Sequence, residues 1–101
     1  VMEKRKPHYS LAEIKATITH LGLDAFTATA LRGIDLMGLT VAEGMAVVLG
    51  LQSEMLFKSM TTFADHRVWQ DVYHAPCPNG KMAYIKVTLR SGAVVIQFKE
   101  L

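Results

Sequence analysis

The sequence predicts an α+β fold, with N-terminal helices packed on one face of a C-terminal antiparallel sheet. Three observations predict it. An S-x-x-E capping box at Ser10 and Glu13 opens a run with helical spacing, a second box opens another at Thr40 and Glu43, and after Phe57 the hydrophobic period changes from 3.6 to 2. Helices first and antiparallel strands second is the order of the α+β class.

Leu11, Ile14, Ile18 and Leu21 follow the first box at helical spacing, so a helix is expected over 11–20, ended near Gly22. The next segment, "DAFTATALRGIDLMGL", tolerates a short extended piece before "ALRGIDLM" turns helical over about 28–37. The second box places a third helix over 41–50, with Met45, Val48 and Leu49 on one stripe that reads as core. "RVWQDVYH" then sets Val68, Gln70 and Val72 on one face and Trp69, Asp71 and Tyr73 on the other. "KMAYIKVTLR" and "AVVIQFKE" alternate the same way, and "APCPNGK" and "RSGA" are the turns a meander needs.

A chain of 101 residues, half of them hydrophobic and 20% charged, is expected to form one domain over 2–101 with a modest core. Val1 ahead of Met2 reads as a cloning remnant and is set aside. The charge-free run between Glu43 and Glu54 is far shorter than the ~18 apolar residues of a membrane span, and "VMEKRKPHYS" carries no apolar stretch of the signal-peptide kind. A soluble, cytoplasmic protein is expected. Cys77 is alone and sits in a turn, so it reads as an incidental thiol, and no Cys/His cluster has metal-ligand spacing.

The net charge of +2 is modest, but Lys4, Arg5, Lys6 and Lys15 lie near one end and Lys58, Arg67, Lys81, Lys86, Arg90 and Lys99 towards the other. If the ends meet in space they would suit a polyanion; a solvated basic face is the bland alternative.

Strand parity sharpens this. A two-residue loop at Ser91 and Gly92 pairs Arg90 with Ala93, Lys86 with Gln97 and Tyr84 with Lys99. One hairpin face is then Ala83, Ile85, Val87, Ile96 and Phe98, fit for burial; the other carries Tyr84, Lys86, Gln97 and Lys99. Pairing His74 with Gly80 across the longer turn would set Gln70 beside Tyr84, giving the row Gln70, Tyr84, Lys99, whereas a slip of one residue would put Trp69 or Asp71 in place of Gln70. Such a face suits an anionic substrate whose transition state gains charge, and RNA cleavage by its own 2′-OH is the natural candidate. Lysine and tyrosine, with ordinary pKa values of ~10.4 and ~10, serve as bases near neutrality only when clustering or burial lowers them, as Lys86, Lys99 and Lys58 together could provide. Two other classes stand beside this reading: a non-catalytic RNA- or DNA-binding module, and an interaction protein that pairs through a strand edge.

"FKSMTTFADHRVWQDVY", with "EKRKPHYSLAEIK" before it and "YIKVTL" and "VVIQFKE" after it, resembles the MqsR (motility quorum-sensing regulator) toxin family, mRNA interferases with a RelE-like fold. The similarity runs in order from Met2 to the C-terminus, and over 21–50 it lies in helix pattern more than in residues. The resemblance implies a ribosome-independent endoribonuclease that needs no cofactor and cuts mRNA at GC-containing triplets, chiefly GCU. It also implies a partner, an MqsA-like antitoxin with a zinc-binding and a DNA-binding domain, through which operator DNA is reached indirectly. The family's functional residues correspond to Lys58, Gln70, Tyr84 and Lys99, and Lys86, Arg67 and His66 are further RNA-binding candidates. His66, ahead of the strand, is expected to serve a structural hydrogen bond; Asp65 and Asp71 are expected to fix neighbouring cations; Trp69 and Tyr73 are expected to pack. Phe63 stands where the family pattern has a tyrosine.

Overall fold

The computed structural model describes all residues from Val1 to Leu101. A short strand β1 (Glu3–Lys4) precedes three helices, α1 (Leu11–Leu21), α2 (Ala28–Leu36) and α3 (Val41–Leu49), and four strands follow: β2 (Leu56–Thr61), β3 (Trp69–Pro76), β4 (Met82–Arg90) and β5 (Ala93–Glu100). All five strands form one antiparallel sheet in the order β1-β2-β3-β4-β5. The α+β expectation holds, with one correction: β1 comes before the helices, and by pairing with β2 it sets the N-terminal basic segment beside Lys58, while Lys99 stands on the opposite edge strand.

The helices begin where their caps predict. Ser10 Oγ accepts from Glu13 N, and both halves of the Thr40–Glu43 box are made, at 3.1 and 2.8 Å. Thr27 caps α2 in the same way through Ala30 N. α2 and α3 have nine residues each, shorter than the ~12–15 an isolated helix needs, so packing holds them. Ile14, Ile18, Ile34 and Val48 are completely buried in one cluster with Ile85, Val87 and Ile96. Each such side chain contributes roughly 1.5–3 kcal/mol relative to exposure. Gly33 lets α2 lie directly on β5: a Cβ there would meet the Phe98 carbonyl oxygen at 1.9 Å.

The β4–β5 hairpin has the expected register, Arg90 with Ala93, Lys86 with Gln97 and Tyr84 with Lys99. Ser91 and Gly92 both take positive φ, 51° and 76°, the backbone of a type I′ turn. The β3–β4 register differs from expectation: His74 faces Tyr84, not Gly80. Gly80 lies inside the turn at φ 85°, closed by Cys77 N to Lys81 O at 2.8 Å and Gly80 N to Cys77 O at 3.0 Å, and the strands pair as far as Pro76 with Met82. The shift is an even number of residues, so every side chain keeps its face while its neighbours change.

Candidate active site

The helix-free face of the sheet is organised in rows that run across the strands. In one, His74 of β3, Tyr84 of β4 and Lys99 of β5 stand side by side. Lys99 Nζ lies 5.0 Å from the Tyr84 ring centre, and the His74 ring is 5.6 Å from the same ring on its other side. In the next row Lys58 of β2, Val72, Lys86 and Gln97 are partners. Val72 is completely buried although it points away from the helices, with lysines as its partners on both sides. Lysine stems cover apolar surface while their ammonium groups stay in water.

A β-bulge between Leu56 and Lys58 shapes the β2 end of this face. The extra residue lets adjacent side chains emerge together: Phe57 stacks on the His74 ring at 4.4 Å, and Lys58 stands opposite Val72. Arg5 donates to the Phe57 carbonyl oxygen at 3.2 Å and lies over the Phe57 ring. Cation, aromatic, imidazole, phenol and cation therefore follow one another from Arg5 to Lys99.

Lys58, Tyr84, Lys86 and Lys99 are brought together as expected. Gln70 shares their face but not their row: it pairs with Met60 and lies four residues along β3 from His74, ~13 Å at strand rise. The expected row Gln70, Tyr84, Lys99 is thus corrected to His74, Tyr84, Lys99. His74 is the residue that sequence reasoning missed, and its Nε2 is buried with no hydrogen-bond partner. Its strand parity with Gln70 was the available signal; the turn register hid it.

Charge on the face is almost wholly positive. Lys86 and Lys99 have no carboxylate within ion-pair distance, whereas Lys58 is bonded to Glu3 of β1 at 2.5 Å, so the lysines are not one cluster of bare cations. The hydrogen bond from Lys58 holds the Glu3 carboxyl below its usual range. Beside Tyr84 and Lys99 a cleft of about 70 Å³ opens between Lys86, Gln97, Phe98 and, from α2, Thr29.

Arg67 and His66 sit in the β2–β3 loop, at the Gln70 end of the face. Arg67 is gripped by Asp65, with Nε to Oδ1 at 3.1 Å and Nη2 to Oδ2 at 3.2 Å, and this contact lowers the Asp65 pKa to about 2. His66 is exposed and takes no hydrogen bond in the loop; the structural bond expected of it is made instead by Thr62 Oγ1, which accepts from Asp65 N and donates to Asp65 O. Asp71, expected to fix a cation, is buried on the helix side and accepts from the backbone N–H groups of His8 and Tyr9. Tyr73 packs in the core, and Trp69 stacks on His8 beneath Lys4. Cys77 is buried, which raises its pKa, in keeping with an inert thiol.

The arrangement offers an anionic group several cations, a phenol and an imidazole, with Glu3 bonded to one of them, Lys58. The mRNA interferase toxin MqsR of Escherichia coli (strain K12) is 37% identical over 99 residues, a match that covers 98% of this chain and 99% of that protein. The family described as motility quorum-sensing regulator, toxin of MqsA, matches residues 6–100, which span all three helices and the four strands β2 to β5. With the match covering the helices and the strands that carry Lys58, Tyr84, Lys86 and Lys99, the chain belongs to the MqsR toxin family.

Proposed function

We propose that this protein, as a single domain over 2–101, is the toxin of a toxin–antitoxin pair: a ribosome-independent, metal-independent endoribonuclease that cuts mRNA at GC-containing triplets, chiefly GCU. It acts in the cytoplasm, slows translation and growth, and is neutralised by a zinc-containing, DNA-binding antitoxin of the MqsA kind, through which it reaches operator DNA. The observation that carries this reading is the row His74, Tyr84, Lys99 with Lys58 and Lys86 beside it, in a chain similar along its whole length to an mRNA interferase toxin.

The reaction is transesterification. The 2′-OH attacks the adjacent phosphorus, the P–O2′ bond forms as the P–O5′ bond breaks, one proton leaves the 2′-oxygen and one reaches the 5′-oxygen, and the product is a 2′,3′-cyclic phosphate. Tyr84 and Lys99 handle the protons, since they stand side by side at the cleft. Lys58 and Lys86 hold the phosphate as its charge grows. Gln70, farther along β3, contacts the neighbouring nucleotide, and His66 and Arg67 attract the strand beyond it, Arg67 after leaving Asp65.

The test is incubation of the purified protein with a short RNA containing GCU and GCA in EDTA, beside Tyr84→Phe and Lys99→Ala. Cutting at those triplets should persist in EDTA and fall on the order of 10²-fold or more in each variant. Intact RNA that the protein still binds would replace the nuclease with a binding module.

A further inference from the structure

The charged path does not stop at the sheet. The cleft beside Tyr84 and Lys99 includes Thr29, and Thr29 also lines a shallow second cleft, of about 160 Å³, formed with Ala28 and Arg32 of α2. The two depressions thus adjoin through one residue, and lead from the hairpin face over the β5 edge onto the outer side of α2. Arg32 is exposed and has no carboxylate within ion-pair distance, as is also true of Lys86 and Lys99.

The path is held in place. Thr27 Oγ1 donates to the Ile96 carbonyl oxygen at 3.2 Å, and Gly33 seats α2 on the Phe98 carbonyl. Thr29 and Arg32 lie between these two anchors, so their positions relative to Lys99 are set by backbone contacts. An unpaired guanidinium beyond two unpaired ammonium groups, with a hydroxyl where the two clefts adjoin, offers donors to successive phosphates of a phosphodiester chain.

We propose that Thr29 and Arg32 form a second RNA subsite, which binds the phosphate of a nucleotide flanking the cut after the strand leaves the Tyr84–Lys99 cleft across β5. The inference rests on the ribonuclease reading and extends it. Phosphate contacts position a strand without reading its sequence, so the subsite sets how much flanking RNA the enzyme uses and leaves triplet choice to the sheet.

The test compares RNAs that hold one cleavage triplet near the centre with RNAs trimmed on one side or the other, using wild type, Arg32→Ala, Arg32→Lys and Thr29→Ala. A 2′-O-methyl version of each RNA gives affinity without cutting. Trimming one side should weaken wild-type binding, and Arg32→Ala should raise KM for the long RNA roughly three- to ten-fold. The advantage of long over trimmed RNA should then fall towards one, and the slope of log affinity against log salt should drop by ~0.7, the value for one single-strand phosphate contact. Arg32→Lys should keep part of the effect. Wild-type values for Arg32→Ala on the long RNA, an equal loss on long and trimmed RNA, or weakened antitoxin neutralisation with unchanged RNA affinity would each overturn the subsite. A wild type that binds the 2′-O-methyl RNAs with the expected length and Arg32 dependence but cuts none would overturn the nuclease and leave the subsite standing.

Discussion

Lys58 enters the face already bonded to Glu3, and this contact is a carboxylate brake on a largely cationic surface. An incoming phosphate competes with Glu3 for the same ammonium group, so Glu3→Gln should bind an uncleavable RNA several-fold more tightly at low salt, with the gain shrinking as salt rises. Equal affinity in both proteins across the salt series would show that Glu3 does not compete. Nothing in the residues around Glu3 announced this pairing, because it depends on a two-residue strand that no hydrophobic period could reveal. Tyr84, Lys86 and Lys99 were legible, since a tight turn fixes its strands' register and period 2 fixes their face. His74 was not: its neighbour Tyr84 is set by a five-residue connection over 77–81, whose backbone bonds cannot be counted from composition.

At the scale of elements, the site depends on how closely α2 rests on β5. Gly33→Ala places a methyl group against the Phe98 carbonyl, and backbone cannot move aside as a flexible side chain can. The substitution should cost about 1–3 kcal/mol in denaturant unfolding and should lower activity more than a stability-matched core variant, because it displaces Lys99 as well. Activity tracking stability alone would separate the helix seat from the site. The bulge at Phe57 plays the matching part on the other side, turning a ring and a lysine to the same face. The helices themselves were readable from their capping boxes and apolar spacing to within a residue or so. Strand β2 was not, since "FKSMTT" has a bulge in place of clean alternation, and the bulge that blurred its period is what equips the site.

The whole molecule is a sheet sealed on one side by helices and open on the other, so its stability and its chemistry reside on different faces. Tyr73 is a marker for the sealed side: burial, helped by the Asp71 charge, raises its pKa to about 12 from an ordinary 10.0. The folded form therefore holds its proton where the unfolded chain releases it. Stability from this source is complete below pH 10 and is lost as pH rises from there through 12, by on the order of 2 kcal/mol. Denaturant midpoints measured at pH 9 and pH 11 should fall less in Tyr73→Phe than in wild type; an equal fall would assign the alkaline loss elsewhere. The charge segregation seen in the sequence is partly closed in space: the pairing of β1 with β2 sets the N-terminal basic segment beside Lys58, and further cations reach the same face through β4 and β5. A single atom tests the proposal that this open face performs metal-free transesterification. An RNA with one GCU triplet is compared, in EDTA, with the same RNA lacking only the 2′-OH next to the scissile phosphate. The first should be cut to a 2′,3′-cyclic phosphate end and the second should be bound but left whole; cutting of the deoxy-substituted strand at the same bond would rule out attack by the 2′-OH.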